Sequence, residues 1–551
     1  MIPSIITLLI IFFPPIFIGY KAFRKKSNQE NDEFFTAKGN IKEKQFCDTS
    51  LAYAYQVAAI SLFTVYGATY GFWTILIPIF WGLGYYLLRS TAKRGAIKTF
   101  IMQNGSETLH GLLEEHYNKV KWIALLAGLT SVLGLAGTAL FEAEYTASAL
   151  TRVLTLSQDA SRPAITLLLF TSFVAAVLTY ILAGGQKVIV KTDHWQLKGA
   201  YLGFMLFLGG IIGVLISVGY QWTPWMILGV SVFLQLGLIW LLHVGSLTPD
   251  TKSEYEKILW LGLCIFLLGI ILGYLSNFDA NTNIPHSESW SDFAQIHQIY
   301  KPWVLGFSLI SLFVSNVFWQ LVDISNWQRI SSMREVKNFE QSLSSSLKFL
   351  GLFSPISWIF AIFLGMCIRL IISTTTSEMP LIDLLSSMAN SENFIQMVLS
   401  FAMLISLVFI MFSTLDSLII AISFTAHKDI MPIFGLRENN SPKIGTLLIT
   451  TILFIIYILA RNYISRVDDI LYSFYAFQLG LVPSILYALF GKKNKAHHQA
   501  AIWSILFGIL TPIFILLFLQ ISPIIWSPVS TTIVSSSVFL IVNRCIKKKY
   551  N

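Results

Sequence analysis

The feature that most limits what this chain can become is a succession of long apolar runs, separated by short polar stretches, from one end to the other. Most of the runs are roughly 18 to 25 residues long, the length a helix needs to cross a hydrocarbon core of about 30 Å. They fall at about 3–21, 48–72, 73–90, 120–150, 163–184, 196–218, 225–244, 257–277, 302–324, 347–373, 393–425, 443–460, 469–490, 498–520 and 526–544. Charged residues make up 12% of the 551 positions, against about 25% in a soluble chain, which leaves too little polar surface to face water. The expectation is an all-α polytopic membrane protein with about fifteen transmembrane helices.

The net charge of +9 is distributed as a topology signal and not as a nucleic-acid surface. Basic residues cluster at Lys21–Lys26, Arg89–Lys98, Lys187–Lys191, Arg329–Lys337, Lys428–Lys443, Lys492–His498 and Arg544–Lys549. With the N-terminus outside, each of these falls on the cytoplasmic side, where Lys and Arg are retained. The acidic stretch Asp279–Asp292 and the Ser/Thr-rich stretch Ser373–Asn393 fall outside, with Arg461–Arg466 the exception, offset by Asp468 and Asp469. This pattern places the chain in a plasma or inner membrane with a cytoplasmic C-terminus. The run Ile5–Tyr20 lacks a basic leader and a small-residue cleavage site, so it reads as a retained helix. Cys47, Cys264, Cys367 and Cys545 are scattered, without the spacing of a metal or disulfide framework. HExxH, GxSxG and P-loop patterns are missing, which speaks against an enzyme and against a bound cofactor.

Polar residues inside apolar runs mark where chemistry could sit. Val57 to Gly71 carries Ser61, Thr64, Gly67 and Gly71, a composition that invites local unwinding or, equally, close helix packing. Near residue 410 come Ser413, Thr414, Asp416 and Ser417. Neutral hydroxyls and freed carbonyls could surround a hard cation, or the hydroxyls could bond back to their own helix. Glu142 and Glu144 lie in an apolar setting and point about 200° apart on a helix, so they cannot form one paired site.

Four stretches in order resemble the sodium:solute symporter family: Asp32 to Gly39, Leu182 to Gln196, Asp323 to Arg329, and Phe412 to Ser417 followed by Lys428-Asp429-Ile430. The resemblance runs from about residue 3 to 490. It implies a LeuT-like 5+5 inverted-repeat transporter core with additional flanking helices. Five segments follow: an N-terminal helix and loop (1–47), the first repeat (48–218), an inserted helical hairpin and outer loop (219–300), the second repeat (301–490) and C-terminal helices with a basic tail (491–551). It implies a sodium site formed by backbone carbonyls of Val57, Ile60 and Ile410 with the hydroxyls of Ser413 and Thr414. Asp193 matches an acid on the ion's exit path, although a solvated charge beside Lys191 is an equal reading. Ser61, Thr64, Asn316, Trp319, Gln320, Tyr475 and Gln478 are the implied substrate-facing positions. The expected function is sodium-coupled symport of a small polar organic solute, an amino acid or similar. The rivals are proton coupling through Glu142, Glu144 or Asp416, and a membrane solute sensor, which the lack of an output module after the last helix disfavours.

Overall fold

The structure is a computed structural model that describes residues 12–14, 17–21, 24, 31–104, 107–154, 162–220, 222–245, 247–276, 302–371, 379–435, 441–460, 474–491, 497–519 and 523–550. The described residues are helical, without strands, and the long helices run α1 (Glu43–Ala54), α2 (Val57–Tyr70), α3 (Leu76–Lys93), α4 (Lys121–Val153), α5 (Arg162–Val218), α6 (Thr223–Val244) and α7 (Pro249–Leu275). They continue with α8 (Pro302–Val322), α9 (Ile324–Ser331), α10 (Phe339–Ile371), α11 (Phe394–Thr425), α12 (Pro442–Ala460), α13 (Val482–Phe490), α14 (His498–Phe514) and α15 (Pro523–Tyr550). Among the described residues eight stretches are long and apolar enough to cross a membrane, and two of these, Val57–Lys93 and Pro163–Val218, each hold two of the expected spans. The first expected span, the acidic stretch at 279–292 and the basic clusters at 461–466 and 492–496 lie wholly or mostly outside the described residues.

The helix expected over 48–72 is two helices. The chain leaves helical geometry at Tyr55 (φ −80°, ψ 45°) and Gln56 (φ −60°, ψ 138°), between a helix of 12 residues and one of 14. At 1.5 Å per residue each is about 20 Å long, shorter than the roughly 30 Å hydrocarbon core, so the break interrupts an apolar stretch. Of the two readings of the Gly- and hydroxyl-rich stretch, unwinding or close packing, the structure shows the second: Val57–Tyr70 is continuous α-helix. Gly67 serves packing instead, because a Cβ there would lie 2.1 Å from the Ile362 carbonyl of α10. The second repeat opens in the same way. α8 stops at Val322, Asp323 breaks the path, and its carboxylate accepts the Ser325 N–H at 2.9 Å to start α9. Two broken first helices, one per repeat, are the internal symmetry of the fold.

The spans expected at 163–184 and 196–218 are joined through a kink at Gly185, and helix resumes ten residues earlier than expected. Gly185 has φ +54°, a conformation that favours glycine, and its Cα faces the Phe34 carbonyl where a Cβ would stand 2.2 Å away. The hairpin expected within 219–300 is α6 and α7. α7 begins before the apolar run, with Thr248 as N-cap and Pro249 in the first turn, so its polar first turns extend the span expected at 257–277. It packs backbone to backbone on α5, where Gly273 faces the Gly210 carbonyl so closely that a Cβ would meet it at 1.9 Å. Trp222, Phe233, Trp240 and Ile271 point outward along the hairpin, as a lipid-facing surface requires.

Candidate functional site

The four stretches quoted above meet in space. Gln328 donates its side-chain N–H to the Phe35 carbonyl at 2.8 Å, and the Ile41 N–H bonds the Ser332 carbonyl at 2.8 Å. Gly185 is the point where α5 passes Phe34. Eight residues further, Asp193 is fully buried, which removes its reading as a solvated charge. Its carboxylate accepts the Ser413 hydroxyl at 2.6 Å and, by a short bond, the Thr49 hydroxyl. One side chain therefore ties α1, α5 and α11 together. Arg329 approaches the same place, with its Nε 3.4 Å from Thr49 Oγ1 and its guanidinium 4.3 Å above the Tyr53 ring.

The hydroxyl pair on α11 divides its work. Ser413 faces Asp193, whereas Thr414 donates back to the Ile410 carbonyl at 3.0 Å. Each hydroxyl oxygen keeps lone-pair capacity after donating its proton, and a carbonyl has two lone pairs. Val57 and Ile60 lie in the first turn of α2, where the Ile60 N–H bonds the Gln56 carbonyl at 3.0 Å. Of the five expected sodium ligands, Ser413 therefore stands against the buried Asp193, while the carbonyls of Val57, Ile60 and Ile410 lie within continuous helix. Asp416 accepts the Tyr180 hydroxyl at 2.7 Å, a link between α5 and α11.

The two glutamates of α4 face different helices. Both oxygens of the fully buried Glu142 accept backbone N–H bonds at 2.9 Å, from Val57 and from Ala58, at the start of α2. Glu144 meets the Tyr457 hydroxyl on α12.

A narrow cavity of about 30 Å³ opens beside the break in the first core helix. Its lining combines Gln56, Phe63, Trp81, Trp319, Trp358 and Tyr475 with Ala59, Leu62, Ser315 and Asn316, and no charged side chain. Three of the expected substrate positions line it: Asn316, Trp319 and Tyr475. Tyr475 donates to Gln56 Oε1 at 3.3 Å and packs on Trp319 at 4.2 Å between ring centroids. Asn316 holds the Leu312 carbonyl through its N–H at 2.7 Å.

The other four substrate positions stand elsewhere. Gln320 accepts from Asn326 at 2.6 Å beneath the break in the second repeat, and Gln478 donates to the Ser131 carbonyl at 3.2 Å. Ser61 and Thr64 are buried in α2 away from the lining. Sequence reasoning missed Phe63, Trp81 and Trp358, since an aromatic residue in an apolar run reads as packing. Gln56 did carry a signal, an isolated amide in an otherwise apolar stretch. The side-chain N–H groups of Gln56, Trp81 and Trp319 have no hydrogen-bond partner among the described residues.

At the end of the bundle that carries the basic clusters, Asp429 accepts the Thr108 hydroxyl at 2.6 Å and bonds His110 Nδ1 at 2.9 Å. His110 passes the contact to Ser131 of α4 at 2.9 Å.

The helical bundle, the paired breaks and the kinked fifth helix define a multi-pass membrane protein of the LeuT-like inverted-repeat fold. Solved structures agree with that class. The chain is similar to a sodium-coupled sialic acid symporter in a substrate-bound outward-open state, with 14% identity, 98% of each chain covered and a TM-score of 0.58. It is also similar to a nucleobase-cation-symport-1 family transporter in a closed conformation with bromovinylhydantoin bound, with 12% identity, 95% of this chain and 97% of that one covered, and a TM-score of 0.50. No protein-family model matches the sequence, and no curated protein matches it.

Proposed function

We propose that the chain is a secondary active transporter of the sodium:solute symporter family, moving one small polar organic solute with sodium by alternating access. The observation that carries this reading is the charge-free cavity set against a helix break within an apolar stretch. An aqueous solute crossing a bilayer needs a site inside it, and irregular backbone persists there only where protein or a cavity surrounds it.

Sodium would bind the carbonyls of Val57, Ile60 and Ile410 with the hydroxyls of Ser413 and Thr414, with Asp193 behind Ser413 drawing the ion onward. The bound ion would join α2 to α11 and favour the state that accepts solute. Uptake would run from outside to a cytoplasmic side marked by the basic clusters. One charge crossing 100 mV gains about 2.3 kcal/mol, enough to concentrate a neutral solute about fifty-fold.

The lining favours an uncharged or zwitterionic solute with hydrogen-bond acceptors, such as an amino acid. The side-chain N–H groups of Gln56, Trp81 and Trp319, without partners among the described residues, belong to its lining, and no charged side chain lines it to bind an ion of either sign. Asn316, Trp319 and Tyr475 would contact the solute directly. Ser61, Thr64, Gln320 and Gln478 would stabilise the helices around it.

Proton coupling is the second reading, favoured by the buried carboxylates of Glu142 and Asp416 inside the membrane. Uptake into proteoliposomes under an imposed sodium gradient, and separately under a proton gradient, decides between them. Accumulation of a solute driven by sodium at equal pH supports the proposal. Accumulation driven only by a pH gradient transfers the coupling to protons.

A further inference from the structure

Glu142 has a place in this architecture that its position in the sequence does not announce. It lies in the middle of α4, fully buried, and forms no ion pair among the described residues. Its Oε2 accepts the Val57 N–H and its Oε1 the Ala58 N–H, both at 2.9 Å. Those are the first two amides of α2, on the far side of the Tyr55–Gln56 break. A break leaves such amides without helical partners, and the helix start is the electropositive end.

The bond to Ala58 has a second consequence. The Ala58 N–H belongs to the same planar peptide unit as the Val57 carbonyl, and in a trans peptide the two point in opposite directions. Holding that N–H therefore fixes where the Val57 oxygen points. A carboxylate on the N–H side also polarises the peptide, which enriches the carbonyl oxygen at the other end.

We propose that Glu142 is the positioning residue of the ion site: its carboxylate orients and polarises the Val57–Ala58 peptide so that the Val57 carbonyl can bind a cation. This rests on the sodium reading above, with Val57 as a ligand. Glu142 itself touches no ion. Like Asp193 behind Ser413, it stands one hydrogen bond behind the peptide of a candidate ligand.

The test is sodium-dependent thermal stability of the purified full chain, with potassium replacing sodium at constant ionic strength. Wild type, Glu142→Gln and Glu142→Asp are compared. Gln keeps one acceptor oxygen and removes the charge, so its sodium half-saturation should rise about tenfold. Asp keeps the charge but is one methylene short, and should fall between the other two. A merely structural cap would lower stability in potassium and leave the sodium half-saturation of both variants at the wild-type value, and that result overturns the proposal. If Glu142→Gln does not fold, Glu142→Asp carries the test by the same criterion. Failure of the underlying sodium reading appears differently, as a wild-type protein that sodium does not stabilise at any concentration.

Discussion

Ser413 and Asp193 stand 220 positions apart in the chain and share a 2.6 Å hydrogen bond in the buried interior. The serine comes from α11 and the aspartate from the helix beyond the Gly185 kink. The bond therefore joins α5 to α11 beside the sodium site proposed above. Ser413→Ala removes a candidate ligand and one partner of Asp193, while the Thr49 bond remains. The sodium half-saturation of solute uptake should rise about tenfold, equivalent to about 1.4 kcal/mol. Uptake measured against sodium concentration checks this.

Replacing Trp319 separates solute from ion. It lines the cavity and packs on Tyr475, whereas no bond connects it to Ser413 or Asp193. Trp319→Ala should weaken solute binding by about 2 kcal/mol or more, the usual cost of truncating a central aromatic contact. Sodium stabilisation measured without solute should stay near the wild-type value. Isothermal titration with solute, beside the sodium melt, reads both.

Gly67 tests how the first core helix packs. A methyl group there meets the Ile362 carbonyl at 2.1 Å, a backbone atom that can yield only by moving α10. Gly67→Ala should destabilise the protein by about 1–3 kcal/mol, the range for overpacking a tight contact. The measurement is thermal unfolding in detergent without sodium or solute.

The hairpin of α6 and α7 makes several polar contacts with the core, and one of them lies beside the Asp193 cluster. Tyr255 of α7 donates to Asp48 of α1 at 2.7 Å, and His194 of α5 bonds the other oxygen of Asp48 at 3.0 Å. Asp48 is the neighbour of Thr49, so the hairpin is coupled to the Asp193 cluster through a single turn of α1. Tyr255→Phe removes the bond and keeps the ring; a hydrogen bond to a charged group contributes about 1.5–3 kcal/mol. Limited proteolysis and hydrogen exchange should show faster opening of α1 than in wild type.

The sequence and the structure agree where the physics is one-dimensional. Apolar runs carry the order of the helices, because the bilayer imposes their length on a chain regardless of its partners. The outcome of a Gly-rich stretch is not one-dimensional: Gly67 could mean a break or a close approach, and only the presence of Ile362 opposite decides it. Asp193 followed the same rule. Beside Lys191 it looks like a surface charge, yet Thr49 and Ser413, each more than a hundred residues away, bury it. The cavity was legible in part, through Asn316, Trp319 and Tyr475, while Phe63, Trp81 and Trp358 gave no signal because their chemistry is that of any apolar helix. Glu142 was visible as a membrane carboxylate, but its partners are two backbone amides, which no side-chain pattern reports.

The central claim is that sodium and solute bind one site region together. Its most direct test is the melting temperature of the purified protein against a panel of amino acids, sugars and organic acids, first in sodium and then in potassium. A ligand that binds the native state raises its stability, by about 2.7 kcal/mol at a hundred times its Kd. The account predicts a solute whose stabilisation appears in sodium and is lost in potassium. A solute that stabilises the protein equally in both salts, and more or less strongly only as pH changes, would contradict it.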